Sequence, residues 1–277
     1  KNEGKVVGKD YTGGISGHFT GRKLERCCNQ CEVEGTDRTG GVVGCFKGDK
    51  PLSVCFNDGD IRGTDSIGGI VGKVETSGKG IVISCYNTGS ISGTGSSAKA
   101  GGIIGENHFS RSGGSFGIPI VSKTESGASN CYNHGKVVSS GKLGAITAAY
   151  YNMNDNCYYR KDSVSNPVDY KNATAITEDG LASGKVAWIL NGGAGKRIDG
   201  WSQREGFPVI AGPKDGPTYR ISIKASQHGK VADSSLAREL YANAGDEVKL
   251  SITPEEGYLL KLLTVDGYDT GKNYFSI

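Results

Sequence analysis

Gly68-Gly69-Ile70-Val71-Gly72, followed thirteen residues on by Cys85-Tyr86-Asn87-Thr88-Gly89-Ser90-Ile91-Ser92-Gly93, is the pair of phrases that decides the fold. The first phrase returns as Gly13-Gly14-Ile15-Ser16-Gly17, Gly40-Gly41-Val42-Val43-Gly44 and Gly101-Gly102-Ile103-Ile104-Gly105, and in worn form as Gly144-Ala145-Ile146-Thr147-Ala148. The second returns around Cys27-Cys28-Asn29, Cys55-Phe56-Asn57, Cys131-Tyr132-Asn133 and Cys157-Tyr158-Tyr159. The equivalent asparagines Asn2, Asn29, Asn57, Asn87 and Asn133 stand 27, 28, 30 and 46 residues apart. A unit this short cannot bury its own apolar face, so it must stack on copies of itself.

The apolar positions fall in runs of three to five residues between glycines, such as Ile81-Val82-Ile83, which suits short strands and excludes helices of ordinary length. Residues 1–160 are therefore expected to form a Gly-rich parallel β-solenoid (a β-helix) of roughly five coils. Ile, Val and the repeat cysteines should point inward, with glycine at each corner supplying positive φ. The 45 glycines recur at fixed places in the repeat, which argues against low complexity. Formal net charge is +3 with both signs interleaved, which gives no support for nucleic acid as partner. No apolar run approaches the roughly 18–20 residues that span a bilayer, so no membrane insertion is expected. Lys1 falls inside a repeat and the last residues stop short of a strand, so the sequence is expected to be a piece of something longer.

The paired phrases GG-[IV]-x-G and C-[YF]-N-x-G-x-[IV]-x-G resemble the GLUG-motif repeats, over about residues 1–160. That resemblance implies a large surface protein of Gram-positive or gut bacteria. Such repeats also occur in the non-catalytic parts of immunoglobulin A-specific metallopeptidases.

After Cys157-Tyr158-Tyr159 the repeat stops, and residues 161–212 are expected to cap the solenoid's open end. Thr177-Glu178-Asp179 reads as the start of a helix over 178–190, with Leu181, Val186, Ile189 and Leu190 on its apolar side and Asn191-Gly192-Gly193 as its stop. The segment 158–212, with its helix and Gly206-Phe207-Pro208-Val209 ending, resembles the one that follows GLUG repeats. Residues 213–217 read as a linker. Residues 218–277 resemble the internalin-B-type bacterial surface repeat through Ala244-Gly245-Asp246-Glu247-Val248, Thr253-Pro254-Glu255-Glu256-Gly257-Tyr258 and Leu263-Thr264-Val265-Asp266-Gly267. That resemblance implies a small β-grasp-like, β-rich module, truncated here.

One coil is swollen: 30 residues separate Gly101 from Cys131, against 17 from Gly68 to Cys85. Insertions in solenoids map to loops on one face, often the binding face. Within the extra stretch, roughly 106–126, His108, Phe109, Arg111 and Phe116 offer stacking and hydrogen-bonding groups and are the candidate ligand-binding residues.

No catalytic, cofactor-binding or metal-ligating set emerges. Cys28-Asn29-Gln30-Cys31 could be a redox pair or, with Cys45, part of a zinc site, but a fourth ligand is missing. The ladder cysteines Cys27, Cys55, Cys85, Cys131 and Cys157 are expected to pack as small buried side chains instead of pairing. His18, His108, His134 and His228 form no H-E-x-x-H, so the metallopeptidase resemblance carries no protease site with it. Asp58 and Asp60 flank a turn glycine, where Asp is common for backbone reasons, and are the candidates for carbohydrate hydrolysis or, with Asn154-Asp155-Asn156, for calcium.

The expectation is a non-catalytic, extracellular cell-surface adhesin or stalk segment, monomeric and without cofactor, presenting a surface to a host protein or glycan. Two alternatives remain: the non-catalytic arm of a larger secreted enzyme such as an immunoglobulin A-specific metallopeptidase, or a polysaccharide-active β-helix enzyme.

Overall fold

The computed structural model describes residues 4–76, 81–109, 127–150, 154–169, 171–193, 200–212, 214–222, 229–231, 240–248, 252–259, 264–265 and 268–269. Within it the glycine-bounded runs become two- to six-residue strands, and each coil gives one strand to each of five parallel walls. The first wall stacks Val6–Val7, Val33–Glu34, Ile61–Gly63, Ile91–Gly93 and Val137–Ser139. The second stacks Asp10–Gly13, Asp37–Gly40, Ser66–Gly68, Lys99–Gly101 and Lys142–Gly144. The third holds Ser16–Phe19, Val43–Phe46, Val71–Thr76, Ile104–Phe109 and Thr147–Tyr150, and the fourth Leu24–Glu25, Leu52–Ser53, Ile81–Ile83 and Gly127–Ser129. The fifth runs from Cys28–Asn29 through Phe56–Asn57, Tyr86–Asn87, Tyr132–Asn133 and Tyr158–Arg160 to Thr174–Ile176. Four coils are complete. The fifth lacks its fourth-wall strand and keeps only a bridge from Ser129 to Asp155, so the solenoid is shorter than five full turns.

Stacking in register places like on like, and the asparagines of the fifth wall use this. Asn29, Asn57, Asn87 and Asn133 are fully buried. Each amide Nδ2 donates to the Oδ1 of the next coil's asparagine, at 2.7, 2.7 and 2.9 Å, and also to the carbonyl two residues ahead. The ladder crosses the interior to the turn between the second and third walls. A Cβ on Gly69 there would lie 2.6 Å from Asn87 Cγ and 2.1 Å from the Gly102 carbonyl oxygen. The second glycine of the GG phrase is thus demanded by the asparagine opposite. Where Tyr159 replaces asparagine in the last coil, Ala145 replaces that glycine.

The ladder divides the core into two lobes. One holds Val42, Val71, Phe46, Leu52, Ile70 and Ile103 with Cys55, Cys85, Cys131 and Cys157. The other holds Cys31, Val33, Ile61, Ile67, Ile91 and Ala100. The repeat cysteines are free thiols, and the four from Cys55 on are buried as the repeat pattern predicts. Each of Cys55, Cys85, Cys131 and Cys157 donates its thiol to the carbonyl two residues back.

The corners differ from expectation. Among the described solenoid residues only one glycine, Gly127, has positive φ. The left-handed positions are instead the residue before each ladder cysteine, Arg26, Val54, Ser84, Asn130 and Asn156, and Tyr11 and Arg38 on the second wall, with φ from 48 to 56°. The solenoid glycines serve close approach of one coil to the next. Val54 is β-branched and poorly suited to this conformation, which costs L-residues about 1–2 kcal/mol. Val54→Asn is expected to raise stability by about 1 kcal/mol in urea denaturation, since Asn tolerates the left-handed region.

The cap also differs. Side chains alternate along a strand, so with cysteine and asparagine inward the residue between them faces out. Phe56, Tyr86, Tyr132 and Tyr158 therefore form an external aromatic stripe, with Phe56 and Tyr86 stacked at 4.9 Å. The helix expected to close the end, with the rest of the later half of 161–212, lies along this stripe: Leu181, Val186, Ala187, Leu190, Trp201 and Val209 bury against Tyr86 and Tyr132. The single helix expected over 178–190 is two, α1 (Glu178–Ala182) and α2 (Lys185–Leu190), because Gly184 at φ 80° turns the chain between them. Thr177 does cap the first, its hydroxyl accepting from the Gly180 N–H.

The end of the core is closed by the earlier part of the 161–212 segment, where Val164, Asp169 and Ala173 pack on the last coil. Buried Asp169 presents its carboxylate to the backbone N–H groups of Ala145, Ile146 and Thr147 at 2.8, 2.9 and 2.8 Å, and to Asn154 Nδ2 at 2.9 Å. It takes the place of the carbonyls a further coil would supply. Beneath the lateral clamp, the Tyr132 hydroxyl is buried with no hydrogen-bond partner among the described residues. Tyr132→Phe is expected to be neutral or to gain up to about 1 kcal/mol, measured by chemical denaturation, because it removes an unpaired polar group.

Beyond the clamp, Thr218–Ile221 pairs antiparallel with Leu240–Asn243, Gly229–Val231 with Ile252–Pro254, and Thr264–Val265 with Tyr268–Asp269. The stretch read as a linker is held down. Asp215 pairs with Arg204, Thr218 is buried, and Asn191 and Asn243 hydrogen-bond across the junction.

Candidate functional site

The third glycine of each GG phrase brings the second and third walls so close that their outward side chains converge. One column runs through Tyr11, Arg38, Ser66 and Lys99, the other through His18, Cys45, Lys73 and Glu106. Tyr11 and His18 rings lie 5.3 Å apart, and the Arg38 guanidinium sits 4.6 Å over the Tyr11 ring. Glu106, 4% exposed, takes ion pairs from Lys73 and Lys99, each at 3.0 Å, and a 3.0 Å hydrogen bond from the Ser66 hydroxyl. Glu75 continues the network to Lys73 and Lys47, both at 3.0 Å, and Lys99 continues it to Asp65 at 2.8 Å. The result is a continuous network of ion pairs across neighbouring coils.

The electrostatics of this network are those of mutual locking. Burial works against ionising Glu75, but the ammonium groups of Lys73 and Lys47 outweigh it and hold the carboxyl at about 2. Burial likewise opposes Glu106, and Lys99 and Lys73 outweigh it, so its pKa is lowered. Lys73 and Lys99 are raised: burial opposes their charge, and the paired carboxylates prevail. Burial pushes the Cys45 thiol up to about 11, away from the thiolate.

The carboxyls fall below their ordinary 4.5 on folding, so their contribution to stability is complete above that pH and is lost as pH falls toward 2. The lysines rise above 10.5, so theirs is complete below that and lost above it. The network's contribution to the thermal midpoint is expected to be flat from about pH 5 to 10 and to drop on the acid side. Lys73→Met should begin that acid loss at higher pH, a comparison that a series of thermal melts checks directly.

The sequence-predicted residues fall out as follows. Glu106–Phe109 belong to the third wall and not to the insertion: Glu106 pairs with Lys73 and His108 with Glu75 in the strand register. His108 is exposed, its Nδ1 3.9 Å from Glu106 Oε1, beside the ion-pair network. Phe109 ends the strand opposite Thr76, while Arg111 and Phe116 lie outside the described residues. The connection holding the insertion leaves at Phe109 and returns at Gly127. In chain order it joins a third-wall strand to a fourth-wall strand, as 20–23 and 47–51 do.

Cys28 stands in the outward column with Phe56, and Cys31 lies in an inner lobe with its thiol donating to Asn29 Oδ1 at 2.8 Å. Cys45 is on another wall, so the three do not converge. Asp58 accepts from Thr88 at 2.7 Å and from Gln30 at 3.2 Å, and Asp60 from the Ser90 N–H at 2.8 Å. Both bind neighbouring coils. Asn154 is spent on Thr147 and Asp169, and Asn156 on Asn130. No three His, Cys, Asp or Glu side chains cluster as metal ligands among the described residues.

Sequence reasoning missed Arg38, Lys73, Lys99 and Glu106. A signal was present: Lys73 and Glu106 follow the same phrase in successive coils, and opposite charges at equal repeat positions stack as direct neighbours.

No protein-family model matches the chain, and no curated protein matches it. One similar solved structure is described as a "putative immunoglobulin A1 protease from Bacteroides ovatus". It is 14% identical, with a TM-score of 0.40, covering 70% of this chain and 74% of that one.

Proposed function

We propose that this chain is a non-catalytic binding module of an extracellular, cell-surface protein: GLUG-type coils clamped by a lateral helical segment and followed by an internalin-B-type repeat. The observation that carries this reading is the locked charge network. Catalytic acids and bases need pKa values brought toward the working pH. Glu75 and Glu106 are pushed down and Lys73 and Lys99 up, so these four groups are not poised to exchange a proton near neutrality. Such a network suits a rigid, charge-patterned surface that holds its shape while it binds. Asp58 and Asp60, the carboxylates first in line for glycoside hydrolysis, are occupied by hydrogen bonds between coils. No helix among the described residues is long and apolar enough to cross a membrane.

The test is a screen of the intact chain against arrayed matrix proteins and glycans, alongside assays for reducing ends released from polysaccharides. Saturable binding without turnover is the expected result. Turnover abolished by Asp58→Asn or Asp60→Asn would overturn it. Replacing 110–126 by a short Gly-Ser link, which spares the Glu106–Phe109 strand, asks separately whether the insertion takes part.

A further inference from the structure

A shallow hollow of about 540 Å3 opens where the third wall turns into the fourth, within the volume range of small-ligand sites. Its position follows from strand alternation. Leu52 and Val82 point inward and are buried, so Ser53 and Ile83 face out beside Glu25. The connections 20–23 and 47–51 rise beside that outer face and bring Arg22, Lys50 and Pro51 to the hollow. Its lining is therefore of two kinds. Pro51 and Ile83 give it apolar surface, Ser53 adds a hydroxyl, and Arg22, Lys50 and the Lys23–Glu25 ion pair supply its charged part.

Arg22 and Lys50 differ from their neighbours in being unspent. Lys23 is held by Glu25 at 2.6 Å and Lys47 by Glu75 at 3.0 Å. Arg22 and Lys50 have no carboxylate partner among the described residues. Two such cations beside apolar surface match a ligand with a flat C–H face and a negative group at its edge. A guanidinium offers carboxylate or sulfate a planar two-bond fork, and the ammonium supplies a second point charge. Among the described residues no aromatic ring lines the hollow, so there neutral sugars would lack a stacking platform and the selectivity must come from charge. Single-stranded nucleic acid would need a basic groove interleaved with stacking aromatics, which is also missing here.

We infer that the hollow framed by Arg22, Lys50, Pro51, Ser53 and Ile83 is a subsite for an anionic pyranose of a host or microbial glycan, with the sugar's carboxylate or sulfate held between Arg22 and Lys50. This rests on the binding-module reading above and names its ligand class.

The experiment is titration calorimetry of the intact chain with three hexasaccharides: hyaluronan, bearing carboxylates only; chondroitin sulfate, bearing carboxylate and sulfate; and neutral cellohexaose. Binding of one or both acidic probes, weakening with salt, is expected, with none to cellohexaose. The difference between the two acidic probes tells carboxylate from sulfate recognition. Arg22→Gln should weaken binding about tenfold, Lys50→Gln somewhat less, and the double variant should abolish it. Both positions are exposed loop residues, so circular dichroism should be unchanged. Undiminished binding by the double variant overturns the subsite but leaves the binding-module reading standing, and so does preference for the neutral probe. An oligonucleotide of equal charge binding as tightly also overturns it. No binding here together with an empty matrix and glycan screen removes both readings.

Discussion

Gly69→Ala is expected to leave the solenoid largely unfolded under conditions where the parent chain is native. The added methyl would lie 2.1 Å from the Gly102 carbonyl oxygen and 2.6 Å from Asn87 Cγ. The first obstacle is backbone of the next coil, whose spacing is fixed near 4.8 Å by the parallel ladders on every wall. It cannot retreat as a flexible side chain would. Relieving the clash means parting two coils and breaking the Asn57–Asn87–Asn133 bonds at 2.7 and 2.9 Å. Overpacking alone costs about 1–3 kcal/mol, and each buried polar group left unpaired costs about 1–3 kcal/mol more. The sum, about 5 kcal/mol, is comparable with the whole stability of an ordinary domain.

Asn87→Ala should cost less, about 3–4 kcal/mol, since it orphans Asn133 Oδ1 and the Gly89 carbonyl without forcing coils apart. Ala145→Gly should change stability by under about 1 kcal/mol, because no asparagine faces that position. Urea denaturation of the three variants checks the order. Gly69→Ala folding with a loss near that of Ala145→Gly would refute the close-approach account.

Asp169→Ala is the second large effect. Its carboxylate is the acceptor for three consecutive backbone N–H groups of the last coil, at 2.8–2.9 Å and out of water. Alanine leaves three buried donors unpaired, at about 1–3 kcal/mol each before water enters, so a loss of about 4 kcal/mol is expected. Asp169→Asn keeps one acceptor oxygen and should lose about half as much. The local readout is amide hydrogen exchange. Ala145, Ile146 and Thr147 should become fast exchangers in the alanine variant, while the Asn57–Asn87 region stays protected. Uniform loss of protection over all coils would mean that Asp169 acts on the whole fold and not on its end.

Some of this was legible in the residues and some was not. The cysteines, the Ile and Val positions and the parallel stacking follow from the repeat. Identical short units in register admit few arrangements, and alternation then fixes which side each residue faces. Even the outward Phe56, Tyr86, Tyr132 and Tyr158 follow from the inward cysteines on either side of the same rule. Their consequence was missed, because an external aromatic stripe needs a cover, and α1, α2 and Trp201 cover the side and not the end. The corner glycines misled for a different reason. Glycine permits both positive φ and close contact, and only coordinates tell which freedom a given position uses.

What the sequence determined by itself is the solenoid, its coil-to-coil register and the inward set, all consequences of periodicity and strand alternation. What only the tertiary structure decided are contacts between residues distant in the chain. Asparagine meets glycine across the core, Lys73 and Lys99 converge on Glu106 from different walls, Asp169 returns to seal three amides, and Arg22 and Lys50 share one hollow. The physical reason is common to all four. A repeat pattern specifies how each coil lies on the next, whereas the angle at which two walls meet, and so which side chains converge, is set by packing through the core.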